Sequence, residues 1–92
     1  MLTRWVTIKN VYGIHCRPST EIAKEVRQLD EEVTVGRENS DEVNAANVLQ
    51  LVGLGLQQGD EVIVKVEGPQ EEQAMERMQS IFEKEFEYVP GQ

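Results

Sequence analysis

His15 is the chain's one histidine, and its neighbours decide what chemistry it could support. The run Gly13-Ile14-His15-Cys16-Arg17-Pro18-Ser19-Thr20 lies between two patterns. Before it, Trp5-Val6-Thr7-Ile8 alternates like a strand; after it, Ile22, Ala23, Val26 and Leu29 recur at helical spacing. An imidazole at a helix start sits beside backbone N–H groups that have no partner within the helix, at the positive end of the macrodipole. Arg17 adds a permanently charged fork suited to phosphate. Pro18 fits a first helical turn, where a missing N–H breaks no bond, and Gly13 permits a sharp turn ahead of it. The combination describes a place to hold a phosphoryl group on a ring nitrogen.

Other chemistries fit less well. A cysteine in a first helical turn can have a depressed pKa, but thiol catalysis needs a base in hydrogen-bond reach, and the side chains of neighbours such as His15 and Cys16 tend to diverge. Cys16 reads better as a small residue whose backbone N–H is left for phosphate. Ser19 and Thr20 read as residues of ordinary first-turn hydrogen bonding. One histidine beside one cysteine makes no zinc pattern, so neither a metal nor a cofactor is expected.

The composition narrows the class further. Ninety-two residues bound one domain, residues 1–92, with one small core. A formal charge of −8 argues against nucleic acid and against an anionic membrane surface. No apolar run is long enough for a membrane span, and no signal-peptide pattern opens the chain, so no membrane insertion is expected. A single cysteine rules out an internal disulfide and suits a reducing cytosol. A soluble, acidic, cytoplasmic protein is the expectation.

The elements that must position His15 follow from periodicity. Strands are expected at 3–9, with Val6 and Ile8 inward, at 32–37, at 41–44 and at 61–67, with Val62, Val64 and Val66 inward. Helices are expected at 16–29, at 48–54 after an Asn47 cap and stopped by Gly53 and Gly55, and from Gly68-Pro69 onward. The last helix carries Ala74, Met75, Met78, Ile81 and Phe82 on its apolar stripe. The order βαββαβα suggests an α+β fold: an antiparallel sheet with helices on one face and the other face open to water.

At about 100° per residue, the first helix places Ile22, Val26 and Leu29 inward and Arg17, Thr20, Lys24 and Arg27 together on the opposite side. A charged helix face is ordinarily just solvated; nearness to His15 points instead to a docking surface for an acidic partner. The second helix carries Val48, Leu49, Leu51, Val52 and Leu54, with Leu56 just beyond. One helix face cannot bury them all, so part of this set should form an exposed apolar patch.

With these residues in view, Gly13-Ile14-His15-Cys16-Arg17-Pro18-Ser19-Thr20 resembles the active-site motif of the HPr family, the histidine-containing phosphocarriers of the phosphoenolpyruvate-dependent sugar phosphotransferase system. The resemblance runs along nearly the whole chain, with one extra residue in the turn at 38–40. It implies an open-faced β-sandwich with a four-stranded antiparallel sheet and three helices on one face. It also implies a carrier, not an enzyme: His15 accepts a phosphoryl group on Nδ1 from phosphorylated Enzyme I and passes it to an Enzyme IIA. Arg17 would stabilise the phosphate, with the backbone of Cys16 and Arg17 in contact with it. Thr20, Lys24, Arg27, Val48, Leu49 and Val52 would form the shared docking face, and a monomer is the expected state.

The motif departs from the usual pattern, which has Ala at position 16 and commonly at position 19. Asn47 stands where a regulatory serine is found in Gram-positive relatives; it cannot be phosphorylated but can still cap a helix. Two alternatives share these residues: a regulatory carrier that controls other proteins rather than sugar uptake, and an interaction module that binds partners without carrying phosphate.

Overall fold

Every second residue of the strand-like runs is apolar, which gives each strand one face to bury. In a computed structural model of the chain, which describes residues 1–87, those faces meet on one side of a single sheet. The strands are β1 (Leu2–Thr7), β2 (Glu32–Gly36), β3 (Val43–Asn44) and β4 (Glu61–Glu67). They form a four-stranded antiparallel sheet in the spatial order β1-β4-β2-β3. Three helices, α1 (Cys16–Arg27), α2 (Val48–Gly53) and α3 (Glu71–Phe82), complete the order βαββαβα.

Val6, Val33, Val35, Val62, Val64 and Val66 join Ile22, Ala23, Val26, Leu51, Ala74, Met75, Met78 and Phe82 in one buried cluster. The helices therefore cover the inward face. Trp5, 48% exposed, pairs in register with Ile63 on the opposite, open face. Among the described residues, no helix is long and apolar enough to cross a membrane.

Element ends differ from expectation where tertiary contacts intervene. β3 begins at Val43 and not at Asp41, because Ser40 closes a turn on Arg37, donating its N–H to the Arg37 carbonyl at 3.2 Å, with Asn39 at φ +63°. Asp41 and Glu42 are left outside the ladder. The last helix starts at Glu71 and not at Gly68-Pro69. Two carboxylates intercept the preceding N–H groups: Glu31 Oε2 accepts from Gln70 N at 2.7 Å, and Glu71 Oε2 from Gly68 N at 3.2 Å. α1 stops at Arg27, closing with tight bonds from Gln28 N to Glu25 O and from Leu29 N to Val26 O; Leu29 is only partly buried. In α2 the break comes at Gly55, φ +60°, while Gly53 stays in the last turn. β1 ends at Thr7, although Ile8 still donates to the Asp60 carbonyl at 2.8 Å and accepts from Gly59 N at 2.7 Å.

Between β1 and α1 the chain is anchored at nearly every step. Gly13 N donates to Asn10 O, and Ile14 N to Leu56 O, both at 2.9 Å. Gly13 adopts φ +71°, and a Cβ there would overlap the Leu56 carbonyl oxygen. Arg37, just past β2, donates to the carbonyls of Leu54 and Gly55 and to Asp60 Oδ2 at 2.9 Å. Asp60 Oδ2 also accepts from Gln57 N at 2.8 Å, so the loop behind Gly13 is itself held from two sides.

At the end of α3, Glu83 Oε2 accepts from Thr7 N at 2.9 Å, and Lys9 Nζ lies 3.6 Å from Oε1. The Thr7 hydrogen bond, helped by the Lys9 charge and opposed by burial, holds the Glu83 carboxyl below the usual carboxylate range.

Two outcomes are expected. Gly13→Ala lowers stability by about 2 kcal/mol or more, read from urea midpoints, because it combines left-handed backbone strain with the Leu56 overlap. Glu83→Gln lowers stability by about 1 kcal/mol at neutral pH, since a neutral amide is the weaker acceptor. A carboxyl whose folded pKa is depressed stabilises above its unfolded value and loses that contribution as pH falls through the folded one. The gap between wild type and Glu83→Gln therefore closes in acid; a pH-independent gap would show that the charge is not what matters.

Candidate functional site

His15 is the N-cap of α1, in extended backbone at φ −88° and ψ −163°, and its side chain makes no cap hydrogen bond. The first rung of the helix runs from Ser19 N to His15 O at 3.0 Å. Pro18 has no N–H, and the amides of Cys16 and Arg17 come before that rung, at the positive end of the dipole. No acidic residue lies in the first turn. The helix end and Arg17, which is exposed, both contribute positive charge at the start of α1.

The imidazole is half-buried, and its two nitrogens differ. Nε2 is shut away from solvent, with no hydrogen-bond partner among the described residues. In this orientation Nε2 is not open to an outside molecule. Cys16 is exposed as a free thiol. Thr20 Oγ1 donates back to the Cys16 carbonyl at 2.8 Å, so its hydroxyl is engaged within the helix. Ser19 departs from expectation: it is fully buried, and its hydroxyl makes no hydrogen bond among the described residues. Packing under the first turn asks for a small residue there.

Arg17, Thr20, Lys24 and Arg27 are all exposed, as the helical spacing implies. Arg27 Nη2 also donates to the Ala46 carbonyl at 2.8 Å, joining α1 to the segment before α2. The acidic residues of α1 turn the other way: Glu25 pairs with Arg77, and Glu21 lies 3.8 Å from Lys84. Their charge is compensated by basic side chains from α3 and the segment after it, so an acidic chain keeps a basic strip beside His15.

On α2, Leu51 is buried, as is Leu56 beyond it, while Val48, Val52 and Leu54 are half-buried. Leu49 is 83% exposed. α1 and α2 pack against each other, and Arg27, at the end of the basic strip, bonds the chain two residues before α2. Asn47 caps α2, its side chain accepting from Gln50 N at 3.1 Å.

Two residues of the site's surroundings were not singled out by spacing. Asn10 is 1% exposed; its Nδ2 donates to the Gly13 carbonyl and its Oδ1 accepts from Phe86 N, both at 2.7 Å. A signal did exist, since Asn10 continues the inward alternation of Val6 and Ile8 and is the polar exception in it. Arg37, which holds the loop behind Gly13, carries no such signal.

The model of the phosphotransferase system (PTS) family "PTS HPr component phosphorylation site" matches residues 2–84. The chain belongs to the HPr family. It is 33% identical over 79 residues to the phosphocarrier protein HPr of Mycoplasma pneumoniae, covering 86% of this chain and 90% of that one. It is 30% identical over 82 residues to the phosphocarrier protein NPr of Escherichia coli, covering 89% and 91%. The crystal structure of HPr-C-His from Thermoanaerobacter tengcongensis superposes with a TM-score of 0.81 at 28% identity, over 89% of this chain and 91% of that one. An HPr from Bacillus anthracis, at 18% identity, shares the fold with a TM-score of 0.83 over 89% and 96%. A PTS phosphocarrier role and the open-faced fold thus agree with the sequence motif.

In this HPr-family protein the cap of α2 is a structural contact. Asn47→Ala is expected to cost about 1 kcal/mol in urea denaturation, whereas Asn47→Ser, which keeps a capping oxygen, should lie within a few tenths of wild type.

Proposed function

We propose that this protein carries phosphoryl groups from phosphorylated Enzyme I to an Enzyme IIA of the phosphotransferase system, with His15 Nδ1 as the acceptor. The observation that carries the reading is a His15 ring with Nε2 buried, placed at the N-terminus of α1 and two residues from Arg17. The lone pair on Nδ1 attacks phosphorus as the phosphorus–nitrogen bond to the donor histidine breaks. The proton stays on Nε2, and the donor ring leaves with its lone pair. Transfer to the acceptor is the same displacement with His15 as leaving group.

Arg17 and the Cys16 and Arg17 amides compensate phosphate charge through positioning and electrostatics, which is most of what phosphoryl transfer asks of a protein. Thr20, Lys24, Arg27, Val48, Leu49 and Val52 form the docking face, with charge favouring encounter and apolar area favouring the bound state. Each phosphoryl group taken up is handed to the acceptor, so the protein is a stoichiometric carrier and not an enzyme.

Intact mass after incubation with phosphoenolpyruvate and Enzyme I tests this. One acid-labile phosphate is expected on wild type and none on His15→Ala, whose circular dichroism should be unchanged. Arg17→Ala should still be labelled, at a rate lower by roughly ten- to a hundredfold. No label on wild type, with a control HPr labelled in parallel, would leave the interaction module as the better reading. Label that an Enzyme IIA cannot remove would favour a regulatory acceptor.

A further inference from the structure

His15 makes no side-chain cap bond, and its Nε2 has no partner among the described residues. With no side-chain hydrogen bond seen to grip the ring, its aim depends on where the backbone of the preceding turn is held. Asn10 holds that turn. Its two bonds fix the amide's orientation, because a carbonyl requires the NH₂ and an N–H requires the oxygen. One bond closes on Gly13 O, two residues before His15; the other reaches Phe86 N, beyond α3.

The segment 83–86 is seated by several independent contacts. Glu83 accepts from Thr7 N, the Phe86 ring is buried in the core at 8% exposure, and Lys84 Nζ lies 5.1 Å from the centre of that ring. Lys84 also approaches Glu21 of α1. The segment thus touches the chain before the His15 turn, through Thr7 and Asn10, and after it, through α1.

We infer that Asn10 and the segment 83–86 act as a strap that sets the Gly13-Ile14 backbone and so the direction in which His15 presents Nδ1; Asn10 is a positioning residue for phosphoryl transfer. This rests on the phosphocarrier reading above. In-line displacement is sensitive to such placement, since a displacement of about 1 Å can cost about a hundredfold in rate. An apolar residue at position 10 would remove the hydrogen bonds that Asn10 makes to the Gly13 carbonyl and to Phe86 N, so the position is also demanding chemically.

The test uses full-length Asn10→Ala, Asn10→Asp and Phe86→Ala beside wild type. Asn10→Asp keeps the acceptor for Phe86 N and removes the donor to Gly13 O. Phe86→Ala loosens the far anchor and leaves Asn10 intact. The expected result is a fall on the order of tenfold in the maximal rate of phosphoryl acceptance. The KM for the carrier should not change, because the docking face is untouched. Nitrogen-15 shifts of the His15 ring should move in the same variants, and the double variant should be less than additive.

Because the NMR readout needs no partner, it separates this inference from the reading on which it rests. Variants that lose only thermal stability, with rate and His15 ring shifts unchanged below their midpoints, would overturn the strap. Should Asn10→Ala fail to fold, Asn10→Asp and Phe86→Ala carry the same test. Wild type that takes no phosphate while a control HPr does would overturn the carrier reading itself, and transfer positioning with it.

Discussion

The hydrogen bond from Ile14 N to the Leu56 carbonyl, at 2.9 Å, joins the strand–helix turn to the loop between α2 and β4. Much of the site follows from it. The carbonyl occupies the space where a Cβ on residue 13 would lie, so the turn requires glycine in left-handed backbone. The turn delivers His15 in extended conformation to the cap of α1, immediately before the first-turn amides. Leu56 is fixed in turn, buried in the core and flanked by carbonyls that Arg37 gathers. Arg37 therefore acts at a distance: removing its guanidinium would free the carbonyls of Leu54 and Gly55 together and leave the Asp60 carboxylate held by Gln57 N alone among the described residues. Sharing several acceptors through one planar group is a task for which lysine, with a compact ammonium, is poorly shaped.

Net charge and local charge point in opposite directions here. The chain carries −8 overall, yet Glu21 and Glu25 of α1 turn toward basic side chains on and after α3. Much acidity sits elsewhere, at Glu32, Glu61 and Glu67 on the sheet and Glu72 and Glu76 on α3. At physiological ionic strength charges are screened over about 8 Å, so a docking partner senses the strip on α1 more than the total. An acidic pI governs self-repulsion and solubility; it does not decide which face of the molecule meets an acidic partner.

The strands and the faces of α1 were legible because period-two and period-3.6 patterns report burial directly, and Val62, Val64, Val66, Ile22 and Val26 are where those periods put them. The placement of His15 and Arg17 at the start of α1 was legible because a strand pattern, Gly13, Pro18 and a helical period meet within a few residues. The start of α3 was not, since Glu31 intercepts Gln70 N from 39 residues away. The short β3 depends on how Ser40 closes its turn, and Ser19 on packing beneath α1. Asn10 gave a partial signal, a polar residue in an inward register, but its partner Phe86 lies 76 residues on. Local patterns show that such a residue is anomalous; only the fold shows what it binds.

A phosphoryl carrier faces a constraint that most catalytic sites do not. The same nitrogen is nucleophile in one transfer and leaving group in the next, so any contact that stabilises the phosphorylated ring helps the first step and hinders the second. Strong side-chain grips on ring or phosphate would unbalance the pair. An orientation imposed through the backbone escapes this conflict, because the contacts among Asn10, Gly13, Leu56 and Phe86 involve no atom of the His15 ring. Contacts that touch neither ring nor phosphate have no direct term in the balance between nucleophile and leaving group. Precise placement with few direct contacts is therefore a physically coherent way to keep transfer fast in both directions.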